Sequence, residues 1–141
     1  MSRKAKLARY LLDTSALLAH FRHETGWEEV QRIFEDPGAA VFLAAVSLAE
    51  FARRLNDLGA PREEIDQIVS DYELLFAAIA PVDARTAKAA YEIVQSTPAR
   101  LPLIDALIAA VAQELDAILV HRDQHMAAIP EAVLQQQHLA G

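Results

Sequence analysis

Two regimes of hydrophobicity alternate along this chain. Short, almost uninterrupted apolar blocks at residues 7–12, 41–45, 77–82 and 117–120 read as strands. Between them, apolar positions recur every three or four residues, which predicts helices over 14–21, 27–35, 47–58, 61–75, 84–95 and 103–115. Punctuation falls where these segments meet. Asp36-Pro37-Gly38 signals a turn and Gly59 a helix stop; Pro61 and Pro102 suit first helical turns, and Asp83 is a good N-cap. Residues 123–128 fit one more helical turn, and 132–135 a fifth strand.

Strands that are apolar throughout need cover on both faces, and strands separated by helices return to the sheet in parallel. The expected fold is therefore a single three-layer α/β/α domain over residues 1–141, with a central, mainly parallel sheet of four or five short strands. Such sheets hold their sites beyond the carboxyl ends of the strands, where strand order reverses.

Composition narrows the chemistry. With 53% hydrophobic residues among 141, the chain can bury a core. No apolar run approaches the roughly 18 residues of a membrane span, so no membrane partner is expected. The basic, then apolar, start of the chain is cut short by Asp13, unlike a signal peptide. Cysteine is absent, which excludes disulfides, a thiolate nucleophile and a cysteine zinc site. The expected location is cytoplasmic. Thirteen Lys and Arg against 20 Asp and Glu give a net charge of −7, which disfavours binding nucleic acid by broad phosphate coverage. It leaves room for an acidic pocket, because a bound cation reverses the local sign.

Four acids stand out by position. Asp13 follows the first strand and Asp123 the fourth; each suits an N-cap and equally a ligand. Glu50 follows the second strand, where Ser47-x-x-Glu50 fits a capping box and Arg53 and Arg54 are within pairing reach. Taken alone, Glu50 reads as structural. Asp105 is the single charge in LPLIDALIAAVA, a helix apolar almost all round. Its carboxylate suits the first turn after Pro102, yet burial requires it to be paired, protonated or given to a metal. On a doubly wound sheet these positions converge on one crevice, where repulsion raises carboxylate pKa values unless a divalent cation intervenes. Oxygen-only ligation favours Mg²⁺ or Mn²⁺ over zinc.

The segments LLDTSALLA, VSLAEFARR, LPLIDALIAAVA and ILVHRDQHMAAIP, in that order over residues 9–130, resemble the PIN-domain ribonucleases, especially VapC-type toxins of type II toxin–antitoxin pairs. The resemblance implies a metal-dependent endoribonuclease in which Asp13, Glu50, Asp105 and Asp123 bind Mg²⁺ or Mn²⁺, with Thr14 and Ser15 assisting. It also implies an RNA substrate cut to 5′-phosphate and 3′-hydroxyl ends, a cognate antitoxin that covers the site, and a homodimer. Two positions depart from the family pattern. His121 stands where many members carry Thr or Ser, and His125-Met126 where many carry Asp-Phe.

Other chemistry is weaker. A basic rim for RNA phosphates could draw on Arg22, Arg53, Arg54, Arg100, His121, Arg122 and His125, with Arg122 and His121 beside a ligand candidate. His20-x-x-His23 and His121-x-x-x-His125 have zinc-ligand spacing, but without Cys the histidines read as solvated. Ser15 has no nucleophile elbow around it. The alternative function is a PIN fold that binds a protein or RNA partner without cutting; loss of a quartet acid would favour it, and all four are present.

Overall fold

The computed structural model describes residues 6–139. Among them, β1 (Ala8–Leu12), β2 (Ala39–Ala44), β3 (Ala78–Ala80), β4 (Ile118–His121) and β5 (Gln136–His138) form one sheet. The strand order is β3-β2-β1-β4-β5, and every neighbouring pair is parallel. Seven helices connect the strands: α1 (Thr14–Arg22), α2 (Trp27–Glu35), α3 (Ala45–Asp57), α4 (Arg62–Glu73), α5 (Ala84–Ser96), α6 (Leu103–Glu114) and α7 (Gln124–Ala127). None of them is long and apolar enough to cross a membrane.

Successive strand residues point to opposite faces, and here both faces are dry. Leu11 and Leu119 enter one core with Ile93 of α5 and Ile108 of α6, while Leu12, Leu43 and Val120 enter another with Leu17, Phe51 and Leu55 of α1 and α3. This is the three-layer α/β/α arrangement that the apolar strands imply.

Two boundaries differ from the sequence reading. Residues 132–135 form no strand, because the N–H groups of Val133 and Leu134 donate back to the Pro130 carbonyl instead of to a ladder. The fifth strand is instead the polar Gln136–His138. It forms through tertiary contacts: Gln136 bonds to the Ile129 carbonyl and to the His121 ring. Helix α3 also begins two residues before Ser47, with Ala44 as its N-cap and no side-chain cap, so the Ser47–Glu50 capping box is not formed.

The C-terminal end of the sheet is fixed from the other side of the fold. Leu139 is 1% exposed, and its N–H donates to the His121 carbonyl. It fits because Gly26, the N-cap of α2, has no side chain: a Cβ there would lie 2.7 Å from the Leu139 Cβ. Gly26 also has φ +94°, while Gly59, at φ +91°, has open space around it. Gly26→Ala is therefore expected to cost roughly 2–4 kcal/mol, and Gly59→Ala about 1–2 kcal/mol from backbone strain alone. Urea unfolding of the two variants measures the difference. Equal losses would mean that the Leu139 contact contributes nothing.

Candidate metal centre

Strands β1 and β4 end side by side, tied by the Asp13 N–H, which donates to the Val120 carbonyl at 3.0 Å. Strand order reverses here, since the chain passes from β1 to β2 on one side and β4 lies on the other. The resulting crevice collects the four acids. Asp13 follows β1, Glu50 lies in α3 after β2, Asp105 occupies the first turn of α6, and Asp123 caps α7 after β4.

Asp13 is both buried and a helix cap. It is 2% exposed, and its Oδ1 accepts from the Ala16 N–H at 2.8 Å and the Ser15 hydroxyl at 2.6 Å. Both bonds use Oδ1, so Oδ2 is not committed to α1. The two roles open in the sequence are thus compatible. Loss of solvation drives its pKa up to about 7, against the two hydrogen bonds, which lower it; Asp123 and Asp105 add repulsion. Asp105 is pushed up to about 6, first by burial and then by Asp123 and Glu50, with His125 opposing. Asp105 and Asp123 thus repel each other and Asp13, and Glu50 repels Asp105.

Asp105 and Asp123 form the tight part of this group, together with His125. One ligand atom from each of the three lies within 4.8 Å of the others. Asp123 Oδ1 accepts from the His125 N–H at 2.8 Å, and the His125 Nδ1 is 3.3 Å from the same oxygen and 3.8 Å from Asp105 Oδ2. Glu50 flanks the cluster, its Oε1 accepting from the Thr14 hydroxyl at 2.5 Å. Among the described residues, neither Arg53 nor Arg54 forms an ion pair with it. Carboxylates whose ionised forms are destabilised by burial and by one another suit a hard divalent cation, which replaces lost hydration with charge.

Two residues position the acids without joining them. The Ser15 hydroxyl donates to Asp13 and accepts from the Arg122 N–H at 2.9 Å, linking the corner after β1 to the corner after β4. His121 has no exposed surface. Its Nδ1 accepts from the Asp123 N–H at 3.1 Å, so Nε2 carries the proton and donates to Gln136 Oε1 at 2.8 Å. Burial holds its pKa below the usual imidazole range. With both nitrogens occupied, His121 is not a phosphate contact as the sequence suggested; it orients the backbone of Asp123.

Of the remaining basic candidates, Arg22 lines neither cleft at the site and pairs with Glu24 at 3.5 Å, while the others divide between two clefts. Arg122, whose guanidinium lies 3.7 Å from Glu24, shares a cleft of about 560 Å³ with Ser15, Arg100, Asp123 and His125. Arg53 and Arg54 line another, of about 250 Å³, with Thr14 and Glu50. The histidine pairs with zinc spacing do not converge. His20 is held between Tyr72 and Gln31 rather than solvated, and His23 stacks on Trp27 with ring centroids 4.1 Å apart.

The family model described as PIN domain matches residues 10–132. The chain belongs to the PIN domain family. No curated protein matches its sequence. Among solved structures, this PIN domain is similar to VapBC2 from Rickettsia felis bound to a DNA fragment from its promoter, at 17% identity and TM-score 0.73, covering 94% of this chain and 99% of that one. It is also similar to VapBC-1 from nontypeable Haemophilus influenzae, at 15% identity and TM-score 0.72, covering 93% and 98%. A third similar structure is Mycobacterium tuberculosis VapC20, described as a sarcin-ricin loop cleaving toxin, at 20% identity and TM-score 0.65, covering 84% and 93%. At these identities the likeness is one of fold.

His125 is the residue whose place the sequence reading missed. Expected at a basic rim, it lines the cleft of Arg100 and Arg122 and also brings a ring nitrogen to the acidic cluster of the PIN crevice. The usable signal was Asp123-x-His125: an Asp that caps a helix brings the second residue after it onto its own corner.

The raised pKa of Asp13 gives metal-free stability a definite pH dependence. The folded state holds this proton more tightly than the unfolded chain, so the contribution is fully present below 3.8 and is lost as pH rises through about 7. Asn retains the Oδ1 acceptor and carries no charge. With chelator present, the stability of Asp13→Asn relative to wild type should therefore rise by about 2–3 kcal/mol between pH 5 and pH 8. Urea unfolding across that range tests it; parallel pH profiles for the two proteins would show that Asp13 ionises without cost.

Proposed function

We propose that this PIN domain is a metal-dependent endoribonuclease that hydrolyses RNA phosphodiester bonds and acts as the toxin of a toxin–antitoxin pair. The observation that carries the reading is the meeting of Asp13, Glu50, Asp105 and Asp123 at one sheet end, with two of them held above the ordinary carboxylate range by burial and mutual repulsion. Membership of the PIN family supports it, as do the similar structures, which are described as VapBC and as a sarcin-ricin loop cleaving VapC toxin.

Asp13, Asp105 and Asp123 are the candidate holders of Mg²⁺ or Mn²⁺, with Glu50 completing the acidic shell. When bound, the ion supplies Lewis acidity and a water acidic enough to attack phosphorus near neutral pH. The chain's own residues prepare that chemistry. Ser15 and the Ala16 N–H fix the Asp13 carboxylate, Thr14 fixes Glu50, and His121 fixes the corner that carries Asp123. No side-chain nucleophile is required.

RNA must approach a chain of net charge −7, so local positive charge matters more than the total. Arg100 and Arg122 in one cleft and Arg53 and Arg54 in the other lie on either side of the acids. They suit phosphates on the two flanks of the scissile bond. An antitoxin fits the same site physically, because an inserted Arg or Lys relieves the carboxylate repulsion as a cation does. A homodimer and a cytoplasmic location belong to the same reading; Tyr91 and Leu103, 61% and 66% exposed on the packed helices α5 and α6, offer apolar surface for a second copy.

Purified protein should cleave RNA with Mg²⁺ or Mn²⁺ and stop on addition of excess chelator. Asp105→Asn should lower cleavage by at least roughly 100-fold while keeping the wild-type circular dichroism spectrum. RNA binding without strand scission by the wild type would favour the non-cutting interaction domain instead. Arg122→Ala should raise KM for RNA several-fold with a smaller change in kcat, which steady-state kinetics over a salt series would resolve; an unchanged KM would remove Arg122 from the substrate contacts.

A further inference from the structure

His125 is unusual among the residues around the crevice because an exposed ring lies against its acids. The side chain is 56% exposed, yet its Nδ1 faces two carboxylates, at 3.3 Å from Asp123 and 3.8 Å from Asp105. What fixes it is α7 itself, whose cap bonds the His125 N–H to the same Asp123 oxygen that the ring approaches. Neighbouring ligands on a six-coordinate ion of this size lie roughly 3 Å apart, so the Asp123–His125 spacing is close to that of a ligand pair.

Charge points the same way. Asp13 is buried, and Asp105 and Asp123 already lie together in one cluster. A further anionic ligand would add to their repulsion, whereas an imidazole nitrogen supplies a donor atom without charge.

We propose that His125 Nδ1 is a direct metal ligand beside Asp105 and Asp123, making the centre a mixed nitrogen–oxygen site that prefers Mn²⁺ to Mg²⁺. The assignment rests on the metal-centre reading above. Mg²⁺ favours all-oxygen shells, while Mn²⁺ and the later divalent metals accept imidazole with increasing affinity. The departure from the family pattern at His125 thereby becomes a determinant of which ion the site selects.

The test uses the full-length protein with Mn²⁺ as the probe, read by electron spin-echo spectroscopy and by displacement with Mg²⁺. Wild type should show nitrogen hyperfine coupling to bound Mn²⁺, and His125→Gln should lose it while keeping a normal thermal transition. The same variant should bind Mn²⁺ about tenfold more weakly, with a smaller change for Mg²⁺, so that the preference falls. Mn²⁺ binding that depends on Asp105, shown by its loss in Asp105→Asn, but that lacks nitrogen coupling in wild type would overturn the ligand assignment and leave the metal centre standing. Absence of any Asp105-dependent Mn²⁺ binding would overturn both.

Discussion

Four carboxylates drawn to the ends of parallel strands oppose one another across a space from which much of the water is excluded, and their repulsion is the constraint around which the rest of this domain is arranged. Nothing in the sheet itself relieves it. The relief available within the chain is partial: two hydrogen bonds on Asp13, one each on Glu50 and Asp123, and the His125 ring beside Asp105 and Asp123. The site is costly to the fold and useful for the same reason, since a pocket that resists holding several negative charges has high affinity for any cation that fits.

The surrounding structure holds these groups in place through contacts that are not themselves reactive. Ser15 bonds to Asp13 on one side and to the backbone of Arg122 on the other, so the corners after β1 and β4 keep a fixed separation. His121 performs a parallel task for Asp123, and its own orientation comes from Gln136 in β5. The last element, Leu139, closes this chain of contacts by packing over Gly26. A substitution at Gly26 therefore acts on the position of Asp123 through three contacts: the Gly26–Leu139 packing, the bond from the Leu139 N–H to the His121 carbonyl, and the bond from the Asp123 N–H to the His121 ring.

The layered fold and the convergence of acids were legible in the sequence because both rest on strong local signals. Leu11-Leu12 and Leu119-Val120 can be buried side by side only if both sheet faces are covered, and Asp105 is conspicuous as the single charge between Leu101 and Ala112. What escaped was set by tertiary contacts. Gln136–His138 contains no apolar residue to mark a strand, and pairing with β4 makes it one. Ser47 and Glu50 matched a capping box, yet α3 starts earlier because Ala45 and Val46 continue directly from β2 into helix. His121 and His125 are alike in sequence context, and only their burial separates a neutral structural imidazole from a ring at the acidic cluster.

Both edges of the sheet are three-residue strands, β3 and β5. An incoming chain would find only a few free backbone groups to pair with at either side, and the β5 edge carries polar side chains. Such short edges disfavour growth by strand addition. The helical surfaces offer assembly a wider area, where recognition is by side-chain shape and charge rather than by main-chain ladders.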